Sequence, residues 1–156
     1  MKTIILLFAI LFGLIFGIIF FQNPNNKFPL LNKSPKVKIN NQTFNVIVAK
    51  SSKEKEIGLS EKNNIPQDEG MLFLFDNPDY YAFWMKNMKF PIDIIYIKDG
   101  KIVTIYSSVS QPKSPEDNLP VYQPKSTADK VLEINSGLSS KYKFTEGDSV
   151  SFENIE

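Results

Sequence analysis

Three dense apolar segments, separated by turn signals, dominate the middle of the chain. They are Gly70-Met71-Leu72-Phe73-Leu74-Phe75, then Ala82-Phe83-Trp84-Met85-Lys86-Asn87, then Pro91-Ile92-Asp93-Ile94-Ile95-Tyr96-Ile97. Asp76-Asn77-Pro78-Asp79 and Lys89-Phe90-Pro91 interrupt them. Each is of strand length and rich in aromatic or β-branched residues, so together they predict consecutive strands at the centre of a core. Asp99-Gly100 follows with the backbone freedom of a two-residue hairpin turn, which should pair 92–97 antiparallel with Lys101–Tyr106. A chain built on this succession is confined to a mainly β fold.

The flanking sequence extends that reading. Val37-Lys38-Ile39 and Phe44-Asn45-Val46-Ile47-Val48 bracket Asn40-Asn41-Gln42, a second hairpin signal, with Phe44, Val46 and Val48 on one face by period two. Ser51-Ser52-Lys53-Glu54 is a capping box that predicts a short helix to about Leu59, with Ile57 facing the core and Gly58 permitting close packing. Asn63-Asn64-Ile65-Pro66 ends it. A Pro-, Ser- and Gln-rich loop runs from Ser107 to Thr127. Strands are expected again over 129–134 and 149–153, separated by a turn and about one helical turn over 137–144. The expected architecture is β-rich α+β: a compact antiparallel sheet, barrel-like or sandwiched, with one or two short helices, preceded by one transmembrane helix.

That last element rests on the unbroken apolar run from Ile4 to Phe21. Eighteen helical residues span about 27 Å, enough to cross the hydrocarbon core of a bilayer. The run is long for a signal peptide, and Ile18-Ile19-Phe20-Phe21-Gln22 offers no small-residue cleavage site. Residues 1–21 therefore read as an uncleaved signal anchor, 22–36 as a flexible Asn-, Pro- and Lys-rich tether, and 37–156 as the globular domain. Lys27, Lys33, Lys36 and Lys38 after the run would, counted strictly, keep the domain in the cytoplasm. Long domains translocate largely regardless of such charge, and the layout resembles a secretory signal, so the domain is expected outside the cytoplasm on a single-pass anchor. Secretion after cleavage is the alternative.

Cysteine, histidine and arginine are all absent. That removes Cys-His and Ser-His-Asp nucleophile systems and ordinary zinc sites. No spaced acidic loop suggests calcium, and no cofactor is expected. With Lys2 set aside, 17 lysines balance 17 acids, so no basic stripe points to nucleic acid.

The polar residues inside the central strands are the candidate site. Phe83 and Met85 should face one way and Trp84 and Lys86 the other. The favoured reading makes Trp84 a mostly buried core residue. The alternative makes it a stacking platform beside Tyr80 and Tyr81. Lys86, Asn87 and Asp93 either form a structural hydrogen-bond knot, with Asp93 capping backbone N–H groups, or gather at a pocket mouth for a small polar ligand. Met71, Met85 and Met88 could hold a soft metal but suit core packing better.

Taken in order, Gly58-Leu59, Gly70-Met71-Leu72-Phe73-x-Phe75, Phe83-Trp84-Met85-Lys86-Asn87, Pro91-x-Asp93-Ile94, Val131-Leu132-Glu133, Gly137 and Gly147-Asp148 resemble the domain of unknown function 192 family over roughly Val37 to Val150. The resemblance implies a compact β-rich domain, often behind an export signal in bacteria and archaea, and brings no activity. Lys55 stands where the family usually has arginine, Ser60 replaces a methionine, Lys62 or nothing stands for a second arginine, and Met88 stands where threonine is common. If those arginines bind an anion bidentately, lysine here binds it more weakly.

The ligand-binding candidates are thus Trp84, Lys86, Asn87, Asp93, Lys55 and Tyr81, with no catalytic residue assigned. The leading expectation is a membrane-anchored extracytoplasmic domain that binds a small polar ligand or an envelope protein without catalysis. One alternative is a glycan-type envelope hydrolase using Asp93 with a second carboxylate. Another is an assembly module acting through the 107–127 loop.

Overall fold

The computed structural model describes residues 33–114 and 118–155. The expected transmembrane helix and most of the tether lie outside them. Among the described residues no helix is long and apolar enough to cross a membrane.

The described residues form nine strands and two short helices: β1 (Lys36–Ile39), β2 (Gln42–Ala49), α1 (Ser52–Ile57), β3 (Glu69–Asp79), β4 (Phe83–Trp84), β5 (Ile92–Lys98), β6 (Lys101–Val109), β7 (Val121–Tyr122), β8 (Ala128–Asn135), α2 (Leu138–Lys141) and β9 (Val150–Glu153). Seven strands form one sheet in the order β6-β5-β8-β3-β2-β1-β9, and β4 and β7 form a separate ribbon. Both expected hairpins are present. Ile39 pairs with Gln42 across Asn40-Asn41, and Lys98 pairs with Lys101 across Asp99-Gly100, both in the left-handed region at φ 50 and 68.

One strand pair departs from the expected antiparallel sheet. β2 and β3 run parallel, Asn45 to Ala49 beside Glu69 to Phe73. A parallel neighbour requires the chain to cross back to the starting end, and 50–68, with α1 inside it, makes that return. The capping box has formed at its start. The Ser51 N–H donates to Glu54 Oε2 at 2.8 Å, and the Glu54 N–H donates to Ser51 Oγ at 3.3 Å. Ile57 is only half-buried; Leu59, past the helix, enters the core instead.

The sheet curls into a half-barrel whose two edge strands meet at one end. Lys101 of β6 bridges Ser149 beside β9, and the Val150 N–H donates to the Gly100 carbonyl at 2.8 Å. At the other end of the β1–β9 ladder, Lys36 faces Glu153.

Period-two alternation gives the sheet two apolar faces. The inner one gathers Ile39, Phe44, Leu72, Leu132, Ile95, Ile102 and Val150 from all seven strands. The other carries Met71, Phe73, Val131, Ile92, Ile94 and Tyr96, covered by Leu59, Ile65, Met85, Met88 and Phe90 from the connections. Close strand approach is built in at Gly70: a Cβ there would lie 2.5 Å from the Glu133 carbonyl oxygen.

Candidate functional site

Asp93 belongs to the inner face with Ile95 and Ile97, because β5 pairs with β8 without a break from 92 to 97. Its side chain is wholly buried. Oδ1 accepts from the Ser108 N–H at 2.7 Å and the Gly137 N–H at 2.8 Å, while Oδ2 accepts from the Ser139 N–H at 2.7 Å and the Ser139 hydroxyl at 2.6 Å. Four donors fill the carboxylate and fasten the start of α2 to the sheet. A group so saturated and so sealed has no lone pair turned to a substrate.

Lys86 and Asn87 are exposed, on the far side of the sheet from Asp93. Asn87 sits at φ 60 in the turn closed by the Met88 N–H and the Met85 carbonyl at 3.1 Å. The three residues therefore do not converge, because neighbouring β5 positions project to opposite faces and Asp93 takes the inner one. With Asp93 enclosed, the paired-carboxylate alternative loses its named acid.

A different grouping emerges over the outer face. A cavity of about 320 Å³ is lined by Lys55, Glu56 and Ser60 from around α1, Phe73 and Phe75 of β3, Tyr81, Phe83 and Trp84 around β4, Lys86 and Met88 beyond it, and Glu133 of β8. Lys55, Tyr81, Trp84 and Lys86, four of the six candidates, thus share one concavity.

Its aromatic wall is continuous. Phe75 stacks on Tyr81 with centroids 3.6 Å apart, and Phe83 meets Phe73 edge-on at 4.9 Å. The Lys55 Nζ lies 4.5 Å from the Phe75 centroid and the Lys86 Nζ 5.2 Å from that of Trp84. Such contacts contribute about 0.5–1 kcal/mol at exposed sites and hold an ammonium in place without neutralising it. Among the described residues neither lysine is in an ion pair; the ion pairs there are Lys125–Glu146 and Lys130–Asp129.

Trp84 is 56% exposed, which overturns the expectation of a buried core indole. The two-residue strand β4 pairs only with β7, so Phe83 and Met85 turn inward and leave Trp84 on the open side. Met71, Met85 and Met88 are all buried in the outer-face core.

Glu133 is the residue that sequence reasoning passed over. It is 6% exposed, flanked by Met71 on β3 and Ile94 on β5, and its Oε2 has no hydrogen-bond partner. Burial pushes its carboxyl up to about 8, so it carries a proton at neutral pH. The available signal was an acid inside the apolar stretch Val131-Leu132-Glu133-Ile134.

The second half of the 107–127 loop lies against the sheet. The Tyr96 hydroxyl donates to the Tyr122 carbonyl at 2.7 Å, the Tyr106 hydroxyl to the Gln123 carbonyl at 2.6 Å, and the Lys125 N–H to Thr104 Oγ1 at 2.9 Å.

Residues 35–152 match the profile of the domain of unknown function 192 family, described as Uncharacterized ACR. A crystal structure of a protein of unknown function from Novosphingobium aromaticivorans is 30% identical, covering 75% of this chain and 82% of that one, with a TM-score of 0.66. A protein from Sinorhizobium meliloti, described as a proposed transcription regulator, is 25% identical over 76% of this chain and 91% of its own, also with a TM-score of 0.66. No curated protein matches.

Proposed function

This chain belongs to the domain of unknown function 192 family, and from its own residues we propose that it binds a small anionic ligand in the cavity formed by Lys55, Tyr81, Trp84 and Lys86. The observation that carries the reading is the pair of ammonium groups, held over aromatic rings and, among the described residues, in no ion pair, at the rim of an aromatic-walled hollow. Aromatic walls with a few placed polar groups are the usual make-up of a small-molecule site. The ligand's flat or apolar part stacks on Tyr81 and Trp84, and its anionic group meets the lysines. Lysine offers point charges rather than a planar fork, which suits modest affinity and a compact anion.

The reading is of binding, not turnover. Asp93 is enclosed by four donors, and Glu133 is the one buried acid among the described residues that line the cavity. Anchoring at a membrane is supported by the apolar run from Ile4 to Phe21, and placement of the domain outside the cytoplasm by the secretory-like layout, since long domains translocate largely regardless of flanking lysines.

The test uses the one tryptophan as its own reporter. Full chain in detergent micelles is titrated with 3-phenylpropionate while Trp84 emission is followed. A saturable change is expected, with affinity at least tenfold lower in Lys55→Ala/Lys86→Ala. An unchanged affinity in that double variant would remove the proposal.

A further inference from the structure

The cavity has two poles. Lys55 and Lys86 make the rim positive, and Glu56 is the acid near them; among the described lining residues the buried ionisable group is Glu133. No ion pair within 4.0 Å joins Glu133 to either lysine, and burial alone displaces its titration, with no contribution from the lysines. Its cross-strand neighbours Met71 and Ile94 are apolar, and the titratable group on the same face of β5 is Tyr96, whose hydroxyl donates to the Tyr122 carbonyl and whose proton is held by burial and in part by Glu133. A buried carboxyl oxygen without a hydrogen bond bears an uncompensated desolvation cost, and native folds retain few of them. Oε2 of Glu133 is such an atom, more than nine-tenths buried and set into the floor of a hollow whose upper walls are aromatic rings.

We propose that the ligand is a zwitterion of amino-acid size, its ammonium seated on Glu133 among the rings of Phe73, Phe75 and Phe83 and its carboxylate on Lys55 and Lys86. This rests on the binding function proposed above and adds the cationic half of the ligand. Three features select an ammonium over a neutral group. Aromatic faces attract cations, as Lys55 over Phe75 already does. An ammonium gives the orphaned oxygen a charge-assisted partner. A bipolar ligand also satisfies both ends of the cavity, whereas a simple anion leaves the floor unpaired. Seating the ammonium stabilises the ionised carboxylate, so the floor proton leaves to solvent as the ligand arrives: one O–H bond of Glu133 breaks, the proton passes to buffer, and the ligand keeps its own charges.

Matched probes test this. Full chain in detergent micelles is titrated calorimetrically at pH 7 with three amino acids and their deaminated acids: alanine and propionate, leucine and 4-methylpentanoate, phenylalanine and 3-phenylpropionate. For at least one pair the zwitterion is expected to bind tenfold or more tighter. Its heat in Tris and in phosphate should differ by the amount for close to one proton released per site. In Glu133→Gln the advantage and the proton release should both vanish while binding of the deaminated acid persists. Deaminated acids that bind as well as or better than their partners, or zwitterions that release no proton, overturn the inference and leave the anion site standing. Absence of binding by all six probes overturns both. The comparison within the unmodified protein does not depend on how the variant folds.

Discussion

Met71 and Glu133 are cross-strand partners on β3 and β8, a thioether beside a carboxyl group on the outer face of the sheet. Burial strips water from Glu133 and, among the described residues, its Oε2 gains no hydrogen bond in exchange, which is why its proton is held so far above the ordinary carboxyl range. The unfolded chain releases that proton near the reference value of 4.5, and the folded one keeps it to about 8. Folding is therefore helped by this group in full below 4.5, and the help is lost as pH rises toward 8. Stability should fall across that window with a slope of up to about 1.4 kcal/mol per pH unit. Urea unfolding at several pH values checks it, and Glu133→Gln should flatten the slope.

Asp93 gives the opposite expectation for a titratable residue: structural, and remote from ligand. Asp93→Ala leaves three backbone N–H groups without their acceptor in a sealed site and leaves the Ser139 hydroxyl only Ser107 Oγ as a partner. A loss of roughly 3–5 kcal/mol is expected. Because the knot lies on the inner face, the protein that remains folded should bind the cavity probes as before. Chemical denaturation and calorimetric titration of the same sample separate the two effects.

Gly70→Ala tests the close approach of β3 to β8. The added methyl would press on the Glu133 carbonyl oxygen, a backbone atom that cannot swing away. Overpacking of this kind costs roughly 1–3 kcal/mol, and the upper part of that range is expected from the denaturation midpoint. A side effect on ligand affinity should accompany it, since the displaced strand carries the cavity floor.

Trp84→Ala should reverse that pattern. An indole 56% exposed and paired only through β4 contributes little to the fold, so stability should change by no more than about 0.5 kcal/mol. Affinity for 3-phenylpropionate should drop several-fold by calorimetry, because the stacking surface and the ring beneath Lys86 are both gone.

Local signals carried much of this fold. Asn40-Asn41, Asp99-Gly100 and the Ser51–Glu54 box each act within a few residues, so their hairpins and helix start are readable in isolation. The direction of β3 against β2 is not, since periodicity is the same for parallel and antiparallel partners. Asp93 showed as a lone acid in an apolar strand, but its partners lie as far as 46 residues away in α2. Face assignment then separated it from Lys86. Trp84 misled because a core indole and a platform indole share one local pattern, and only the shortness of β4 distinguishes them. Glu133 became visible once β3 and β5 had supplied apolar neighbours and the 57–90 connections had roofed the face.

The pairing of Lys36 with Glu153 has a mechanical consequence. The first and last strands of the domain run side by side in opposite directions, so its two ends leave from one corner. Tension applied between those ends would peel the β1–β9 ladder one rung at a time, as a zipper opens, rather than shear all its bonds together. Load from a C-terminal attachment should unravel this domain at low force, whereas grip on the central strands should meet far greater resistance.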